Sequence, residues 1–418
     1  MKNKKKDLKA EEIKENAKEI KPVKNTFNTI EVIVIMIITA LFGSLIGSAV
    51  TYFRDNGGVR INNKDLKELI STYDDVVDDY YGEIDNDELL ESGIKGMIDY
   101  LNDPYSSYLD SDASEEFNEK LEGEYIGLGA EISKMEEGTI LVRNVYKNTP
   151  ADKSGLKKDD IIYQVEKEEV KEMTLAQVTE TIKGGNVGTK VNLSVKRGEE
   201  NLTIEFTRGI VDITSVTGEI IEKDNQKIGY IKIDIFAKNS SEQFEEVVNN
   251  LQEQGVSYLI LDVRNNNGGY LTTVKSIAEM FLNKKDIVFI VKDKNTEEKQ
   301  LASKNKPITL PTTVLINGSS ASASEILAAS LNENIGSELV GLQTYGKGTV
   351  QKTKTLSSGS TIKYTIQEWL TPSGKSIEGE GISPTIEVEL SEKYYNDPTL
   401  ENDDQLQKAI SVLLEKSK

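Results

Sequence analysis

Three short segments carry side chains whose types and spacing could do chemistry. They are residues 262–269, residues 317–325 and Gly346-Lys347-Gly348. The first is a polar loop ending in two glycines, whose backbone N–H groups can turn toward an anion. The second runs small residues, among them several serines, straight into a helix N-terminus. Together the first two could form an oxyanion site beside a serine.

The composition limits what that chemistry can be. The chain has 418 residues, with no histidine and no cysteine. A Ser-His-Asp triad, a Cys-His pair, a disulfide and zinc sites built on His or Cys are therefore excluded. A serine nucleophile needs another base, and lysine can serve if burial lowers its pKa from about 10.4 toward neutrality. A Ser/Lys dyad is compatible with this composition.

The same motifs also have simpler interpretations. Ser322, with Glu325 three residues later and an apolar helix following, is a capping box, and serine at such a place usually only caps the helix. Gly346-Lys347-Gly348, taken singly, is most often a solvated turn. From the motifs alone, a structural and a catalytic role both stay open.

Strands and helices alternate around these segments. Apolar runs predict strands at 228–236, 258–263, 287–291 and 313–316, with amphipathic helices between them. Such alternation predicts an α/β core with a mainly parallel sheet, whose sites lie beyond the carboxyl ends of the strands. Segments 262–269 and 317–325 each follow one of these strands.

A smaller module precedes this core. Short alternating strands, such as 140–145 and 191–195, begin near Glu124. Between them a helix opens with a Thr174/Gln177 capping box and closes at Gly184-Gly185. Before the module, residues 64–118 are acidic and helix-like.

Residues 32–52 form an uncharged apolar run of 21 residues. At about 1.5 Å per residue, a helix of that length spans the hydrocarbon core. The length favours an uncleaved anchor over a cleaved signal peptide, although Gly47-Ser48-Ala49 offers small residues for cleavage. The flanking basic residues balance, but a distal cluster at 2–9 favours a cytoplasmic N-terminus. We therefore predict a single-pass protein of the cell membrane with an extracytoplasmic C-terminal part.

The charge balance bears on partners. Fifty basic and 70 acidic residues give a net charge of −20, and no basic stripe interrupts it. Such a surface repels nucleic acid, so no nucleic-acid partner is predicted.

Seven segments, in this order, resemble the carboxyl-terminal processing proteases, the S41 family of PDZ-containing serine proteases. They are Tyr125-Ile126-Gly127-Leu128-Gly129-Ala130, Thr149-Pro150-Ala151 with Ser154-Gly155-Leu156, Asp160-Ile161-Ile162, residues 262–269, residues 319–325, residues 345–351, and Thr371-Pro372-Ser373-Gly374 with Gly381-Ile382. The likeness covers nearly everything after residue 64.

The resemblance implies roles for individual residues. Ser322 would be the nucleophile, Lys347 the general base and Gln351 the residue that orients the lysine amine. The backbone N–H groups of Gly268 and Ala323 would form the oxyanion hole. Ser320 and Ser324 would be bystanders, and no metal or cofactor is required.

One residue departs from the family pattern, and one spacing within the pattern requires a bend in the chain. Asn267 stands where the family usually has proline, which makes the loop less rigid. In a flat strand Lys347 and Gln351 would lie about 13 Å apart, so the Gly346 to Gly348 stretch must bend.

The resemblance also implies a PDZ domain at 124–208. Its carboxylate-binding loop would be Gly127, Leu128, Gly129 and Ala130, which would hold the C-terminus of a peptide added to a strand edge. The predicted organisation is a cytoplasmic segment 1–31, an anchor 32–52, a helical region 64–118, the PDZ domain, a protease core 209–390 and a C-terminal helical segment 391–418. The resemblance further implies that the helical region 64–118 and the C-terminal helix near 405–414 mediate formation of a homodimer.

The predicted function is that of a membrane-anchored serine endopeptidase with a Ser/Lys dyad. It would recognise protein or peptide substrates with apolar C-termini through the PDZ domain and cleave exported proteins. Two alternatives remain at this stage: a catalytically inactive PDZ scaffold, and a protease whose dyad lies elsewhere.

Overall fold

The computed structural model describes residues 64–305 and 307–415. These described residues belong to two compact units, one that ends at Leu89 and one that begins at Leu90. The predicted cytoplasmic segment 1–31 and membrane helix 32–52 lie outside the described residues. Within the described ranges, no helix combines the length and the apolar character needed to cross a bilayer.

The helices of the described ranges alternate with strands along most of the chain. They are α1 (Lys64–Asp79), α2 (Asn86–Asp99), α3 (Ser111–Glu122), α4 (Pro150–Ser154), α5 (Leu175–Lys183), α6 (Ser240–Glu253), α7 (Leu271–Ala278), α8 (Ala323–Ile335), α9 (Glu392–Asn396) and α10 (Asp404–Glu415).

The strands within the described ranges fall into four sheets. They are β1 (Ser107–Leu109), β2 (Glu124–Gly127), β3 (Ala130–Lys134), β4 (Ile140–Val145), β5 (Ile161–Val165), β6 (Glu168–Glu169), β7 (Lys190–Arg197), β8 (Glu200–Thr207), β9 (Gly209–Asp212), β10 (Val216–Lys223), β11 (Gln226–Ile233), β12 (Tyr258–Asp262), β13 (Ile287–Lys292), β14 (Glu297–Leu301), β15 (Thr312–Ile316), β16 (Glu338–Gly341), β17 (Thr349–Thr355), β18 (Thr361–Leu370) and β19 (Ile386–Glu387).

The predicted mainly parallel sheet is present, with the strand order β10-β11-β12-β15-β16-β19. All neighbours pair in parallel except β10 and β11. Every residue of β12 and β15 is buried. Strands covered on both faces need continuous apolar runs, which is why the sequence marked these two clearly. Their carboxyl ends lie side by side, with Asp262 paired to Leu315.

A second, antiparallel sheet was not predicted. Its order is β1-β18-β13-β14, with β17 also paired to β18. The prediction that 287–291 continues the parallel alternation is wrong, because β13 pairs antiparallel with β14 and β18. The short strand β1 lies in the stretch expected to be helical and pairs with β18.

The smaller β-rich module is also present. Strands β3, β4, β5, β7 and β8 form an antiparallel sheet, with β6 on β5. Helix α5 begins with the predicted Thr174/Gln177 capping box. The module has its own apolar core, in which Val178 and Ile182 of α5 pack among the strands.

The parallel sheet is covered on both faces. One face packs against α6, α7 and α8 in a large core that includes Phe244, Ile277 and Leu327. The other face packs against the C-terminal helix α10, whose Leu406 and Ile410 share a cluster with the strands. Closely packed helices and strands thus support the strand ends at which the candidate site lies.

Candidate active site

The two loops at the ends of β12 and β15 are bound to each other. Asn265 N–H donates to Asn317 Oδ1 at 3.0 Å, and Asn317 Nδ2 donates back to Asn265 Oδ1 at 2.9 Å. Ala321 N–H donates to the carbonyl of Asn266 at 3.0 Å. The adjacent parallel strands therefore bring the two polar segments of the sequence into one structure.

Two buried serines tie these loops together. The Ser320 hydroxyl donates to the Val263 carbonyl and the Ser324 hydroxyl to the Asn266 carbonyl, both at 2.8 Å. Ser320 and Ser324, which the resemblance makes bystanders of the reaction, therefore have a structural role, because their hydroxyls hold the loop before Gly268.

Ser322 lies at the start of α8 with an unusual backbone. It occupies the N-cap, and its N–H donates to the Glu325 carboxylate, which is the half of a capping box that reaches back from the helix, while its own hydroxyl makes no capping hydrogen bond. Its φ of 54° and ψ of −111°, however, differ from the extended backbone of an ordinary cap. A non-glycine residue held in such a conformation costs on the order of 1–3 kcal/mol, and strain of this kind concentrates at functional sites. Ser322 is therefore both a cap and a strained position.

Gly268 lies against this turn. Its φ is 109°, and a Cβ added there would lie 3.0 Å from Cβ of Ser322 and 3.2 Å from the backbone nitrogen of Ala323. The structure thus brings Gly268, Ser322 and Ala323 together. The N–H of Gly268, however, donates to Oδ1 of the buried Asn266 at 2.8 Å. Binding an oxyanion at Gly268 requires that this hydrogen bond be shared or broken.

Glu325 connects the serine turn to the lysine loop. Its buried carboxylate accepts hydrogen bonds from Ser322 N–H at 2.7 Å and from Lys347 N–H at 3.0 Å. It also accepts from Gly346 N–H at 2.7 Å and from the Thr344 hydroxyl at 2.6 Å. Burial raises the pKa of Glu325 above its usual value, although these four hydrogen bonds oppose the shift. One carboxylate therefore fixes both backbones.

The lysine loop bends before β17, as the predicted spacing required. Residues 343–348 are irregular, and Gly346 has a φ of 89°. The Lys347 carbonyl accepts from Trp369 Nε1 at 2.8 Å, and Gly348 N–H donates to Glu378 at 2.7 Å. Together with the bonds from Gly346 and Lys347 to Glu325, these contacts hold the backbone on both sides of Lys347 in place.

The Lys347 amine is poorly solvated. Burial, aided by the like charge of Lys363, lowers the pKa of Lys347 to about 8, although Asp103, Glu325 and Glu378 act in the opposite direction. The amine also lies 5.2 Å from the centre of the Tyr105 ring. With the residues that the structure describes, it makes no side-chain hydrogen bond or ion pair. It is thus a cation that is easily deprotonated.

Gln351 lines the same cavity as Lys347, but its amide group binds other residues. Its Nε2 donates to the Thr349 hydroxyl at 2.8 Å and to the Thr365 hydroxyl at 3.4 Å. The pairing of β17 with β18 is irregular between Val350 and Gln351, which changes the direction of the side chain. Ser322 and Lys347 likewise share no hydrogen bond in this structure.

A cavity of about 530 Å³ joins these groups. Its lining includes Ser322, Lys347, Gln351, Gly268 and Asn267, the residue that stands in place of the family's proline. Apolar side chains, including Phe117, Leu121, Leu271 and Val350, form another part of the wall. The cavity can hold a peptide segment beside a serine and a lysine. No group of three or more acidic side chains in the described ranges is arranged to hold a metal ion.

Sequence reasoning missed Asp103, Tyr105 and Lys363, which surround the Lys347 amine. Asp103 and Tyr105 come from the stretch expected to be only helical, and Lys363 comes from the unpredicted antiparallel sheet. The Ser358-Gly359 turn between two alternating runs was an available signal for the β17–β18 hairpin.

The predicted carboxylate-binding loop lies between β2 and β3. Gly129 has a φ of 78°, and a Cβ there would meet Thr149 at 2.3 Å. The Tyr125 ring lies over Gly127, and the Lys183 amine is 4.9 Å from the centre of the Tyr125 ring. Burial raises the pKa of Tyr125, against a hydrogen bond from the Gly129 backbone. A ligand carboxylate at this loop would meet the Tyr125 hydroxyl.

Comparisons with known proteins agree with this architecture. The model of peptidase family S41 matches residues 227–388, and a PDZ domain model matches residues 126–207. The model of the N-terminal domain of the activating protease CtpB matches residues 48–113.

Individual relatives are similar over most of the chain. The carboxy-terminal processing protease CtpA of Bacillus subtilis is 35% identical over 378 residues, covering 88% of this chain and 79% of that protein. A "Probable CtpA-like serine protease" of Staphylococcus epidermidis is 33% identical over 358 residues, covering 85% and 71%. Among solved structures, the photosystem II D1 C-terminal processing protease is 25% identical, with a TM-score of 0.46, covering 81% of this chain and 91% of that one.

A serine peptidase with a PDZ domain is the class that the fold and these matches define. The chain belongs to peptidase family S41, as a carboxyl-terminal processing protease. Its substrates are accordingly peptides or proteins.

Proposed function

We propose that Ser322 is the nucleophile of this peptidase and that Lys347 is its general base. The observation that carries the proposal is the state of the lysine amine. It lines the same cavity as Ser322, and burial lowers its pKa to about 8. A neutral amine can accept the serine proton without a histidine.

The proposed reaction proceeds through an acyl-enzyme. Neutral Lys347 takes the proton from Ser322, and the serine oxygen forms a bond to the scissile carbonyl carbon. The protonated amine then gives its proton to the leaving nitrogen as the C–N bond breaks. The neutral amine then deprotonates a water, whose oxygen bonds to the ester carbonyl carbon. The C–O bond to Ser322 breaks as the amine returns that proton to the serine oxygen, which restores the free enzyme.

The proposed oxyanion hole uses the N–H groups of Ala323 and Gly268. The Ala323 N–H is at the first turn of α8, where the helix dipole favours negative charge. The Gly268 N–H becomes available when its bond to Asn266 is released. Substrate binding must also bring Ser322 and Lys347 within about 3 Å, a tightening common when substrate enters a free site. Gln351 then orients the amine.

The PDZ domain is proposed to bind the substrate C-terminus at Gly127, Leu128, Gly129 and Ala130. The peptide would add to the edge of β3 beside α5, and its apolar last side chain would enter the groove. The left-handed backbone of Gly129 supports this loop conformation. Because the chain belongs to a family of peptidases, we do not propose that it is a catalytically inactive PDZ scaffold.

The test is cleavage by the full-length chain of a fluorogenic peptide with an apolar C-terminus. We expect Ser322→Ala and Lys347→Arg each to abolish cleavage, because arginine keeps its charge but cannot act as a base. Ser319→Ala is the matched control, since Ser319 is an exposed serine of the same loop. Retained cleavage in Ser322→Ala would place the dyad elsewhere.

The membrane anchor at 32–52, the cell-membrane location and exported substrates are further parts of the proposal. They rest on the uncharged run of 21 residues in the sequence. The full-length protein should stay in the membrane fraction after alkaline extraction, whereas a chain without residues 1–53 should be released. Release of both would contradict the anchor.

The homodimer is also proposed. Leu69 and Ile70 of α1 are exposed apolar residues that could form an interface. Sedimentation of the full-length protein in detergent should give twice the chain mass of 46.4 kDa. A monomeric mass at all concentrations would contradict this part.

A further inference from the structure

A chain of hydrogen bonds leads from the loop before β1 to Gln351. The Thr365 hydroxyl donates to Asp103 Oδ2 at 2.6 Å. The same hydroxyl oxygen accepts from Gln351 Nε2 at 3.4 Å. Residue 103 is therefore connected to the proposed orienting glutamine through one hydroxyl group, although the two residues are far apart in sequence.

The polarity of this chain is fixed at the Asp103 end. An ionised carboxylate can only accept hydrogen bonds, so the single proton of the Thr365 hydroxyl must point to Asp103. The hydroxyl then offers only lone pairs to Gln351, so the amide must present its NH₂ group there, and the same Nε2 also donates to the Thr349 hydroxyl at 2.8 Å. The amide oxygen is left for another donor, and Lys347 lines the same cavity as Gln351.

Asp103 is itself held firmly and stays ionised. It accepts from Tyr105 N–H at 3.1 Å and from the Ser106 hydroxyl. Thr365 N–H donates to Ser106 at 3.2 Å, which fixes this loop to β18. Burial acts to raise the pKa of Asp103, but the hydrogen bonds from Ser106 and Thr365 and the charge of Lys347 hold it below its usual value.

We propose that Asp103 and Thr365 are positioning residues that turn the amide oxygen of Gln351 toward the Lys347 amine. The inference rests on the proposed function, because it gives Gln351 its role only if Lys347 is the base. Asp103 has a second effect, since its negative charge favours the protonated form of the amine.

Charged and titratable groups face that amine from several elements. Asp103 and Tyr105 come from the loop before β1, Glu325 from α8, Lys363 from β18 and Glu378 from the segment after β18. Asp103 attracts the protonated amine of Lys347 and Lys363 repels it. Without the Asp103 charge the repulsion is less balanced, so Lys347 should lose its proton at lower pH. Removing only the Thr365 hydroxyl keeps every charge in place.

This difference defines the experiment. Asp103→Asn, Thr365→Val and Thr365→Ser are made in the full-length chain, with Thr355→Val as the control. Thr355 is an exposed residue of β17 whose hydroxyl contacts Thr361 instead of the cavity. For each variant, kcat and KM for the fluorogenic peptide are measured between mildly acidic and alkaline pH, and thermal melting reports the folded fraction.

We expect Asp103→Asn and Thr365→Val to lower kcat by roughly tenfold to a hundredfold with little change in KM, because a displaced orienting group misaligns the base. In Asp103→Asn the rise of activity with pH should also move to lower pH, whereas in Thr365→Val it should stay in place. Thr365→Ser, which restores the hydroxyl, should recover most of the activity.

Two outcomes would overturn the inference. In one, Thr365→Val behaves as Thr355→Val does. In the other, kcat falls only in proportion to the folded fraction and Thr365→Ser gives no recovery, which indicates a structural role. Ser322→Ala is assayed in parallel: if it still cleaves, the proposed dyad fails together with the inference, whereas an inactive Ser322→Ala beside a normal Thr365→Val removes the inference alone.

Discussion

The properties of single residues decide whether a protease without histidine can work. Lys347 combines burial with a neighbouring cation, and both disfavour its charged form. Ser322 is held at a φ that serine rarely adopts, against a glycine that leaves no room for a side chain. Neither feature is needed for a helix cap or a solvated turn, which is why the catalytic interpretation is the stronger one.

The pH dependence of the reaction follows from Lys347. Only the neutral amine accepts a proton, so kcat/KM should increase about tenfold per pH unit below the pKa and level off above it. With the pKa of Lys347 at about 8, the increase should end near that pH. Initial rates of cleavage of the fluorogenic peptide at a series of pH values measure this increase.

Lys363→Gln provides the matched variant. It removes the like charge that helps to lower the pKa of Lys347, so the rising limb should move to higher pH. A profile that is flat, or that falls with increasing pH in the wild type, would contradict lysine as the base.

At the scale of elements, the conformation of a loop is set by its close contacts with neighbouring strands and helices. Gly129 illustrates this in the PDZ domain, where its left-handed backbone packs directly on Thr149. The single proton of the Thr149 hydroxyl is shared between the Tyr146 carbonyl at 2.7 Å and the Gly129 carbonyl at 3.1 Å. The shape of the proposed carboxylate-binding loop is therefore set by the start of α4.

Gly129→Ala should weaken binding of a peptide with an apolar C-terminus by at least about tenfold, because the added methyl group displaces the loop from Thr149. Calorimetry with the inactive Ser322→Ala background measures this. Gly155→Ala is the control, since Gly155 also has a positive φ but no atom within 4 Å of an added Cβ. Equal losses in both variants would show that backbone strain, and not the contact, is responsible.

At the scale of the whole molecule, the C-terminal helix is connected to the polar loop after β12 by buried charges. The Arg264 guanidinium lies between Asp262 and Asp403, at 2.6 and 2.8 Å. Arg264 Nη1 also donates to Gln405 at the start of α10 at 2.8 Å. The polar loop after β12 thus depends on residues near the end of the chain.

Asp403→Asn should lower the free energy of unfolding by on the order of 3 kcal/mol, because it removes one partner of a buried cation. Urea unfolding followed by circular dichroism measures the change. The exposed Glu401→Gln should have little effect. A stable Asp403→Asn would mean that Asp262 alone compensates Arg264.

Much of this architecture could be predicted from sequence, for physical reasons that also explain the failures. β12 and β15 are buried on both faces, so their unbroken apolar runs identify them, and the polar loops must then meet at their ends. The Thr174 capping box is equally local and was confirmed. The β17–β18 hairpin was missed, because its half-exposed strands carry many polar residues.

The surroundings of Lys347 could not be predicted in the same way. Asp103 and Lys363 reach the amine through pairing of β1 with β18, a contact between distant parts of the chain. The hydrogen bond from Gly268 to Asn266 likewise depends on how a loop folds onto itself. Sequence motifs indicated the groups that we propose to react, but the environment that sets the protonation of Lys347 comes from tertiary structure.

The shared carboxylate of Glu325 has a consequence for anyone who would transplant or redesign this centre. Since it holds the amide groups of Ser322 and Lys347 at once, the two cannot be moved independently. A graft that carries only the serine turn, or only the lysine turn, would leave an acid buried in a foreign interior without its donors. Ser322, Glu325 and Lys347 therefore have to be transferred together. The segments that carry Glu325 and Lys347, which are 22 residues apart in sequence, must keep their mutual arrangement.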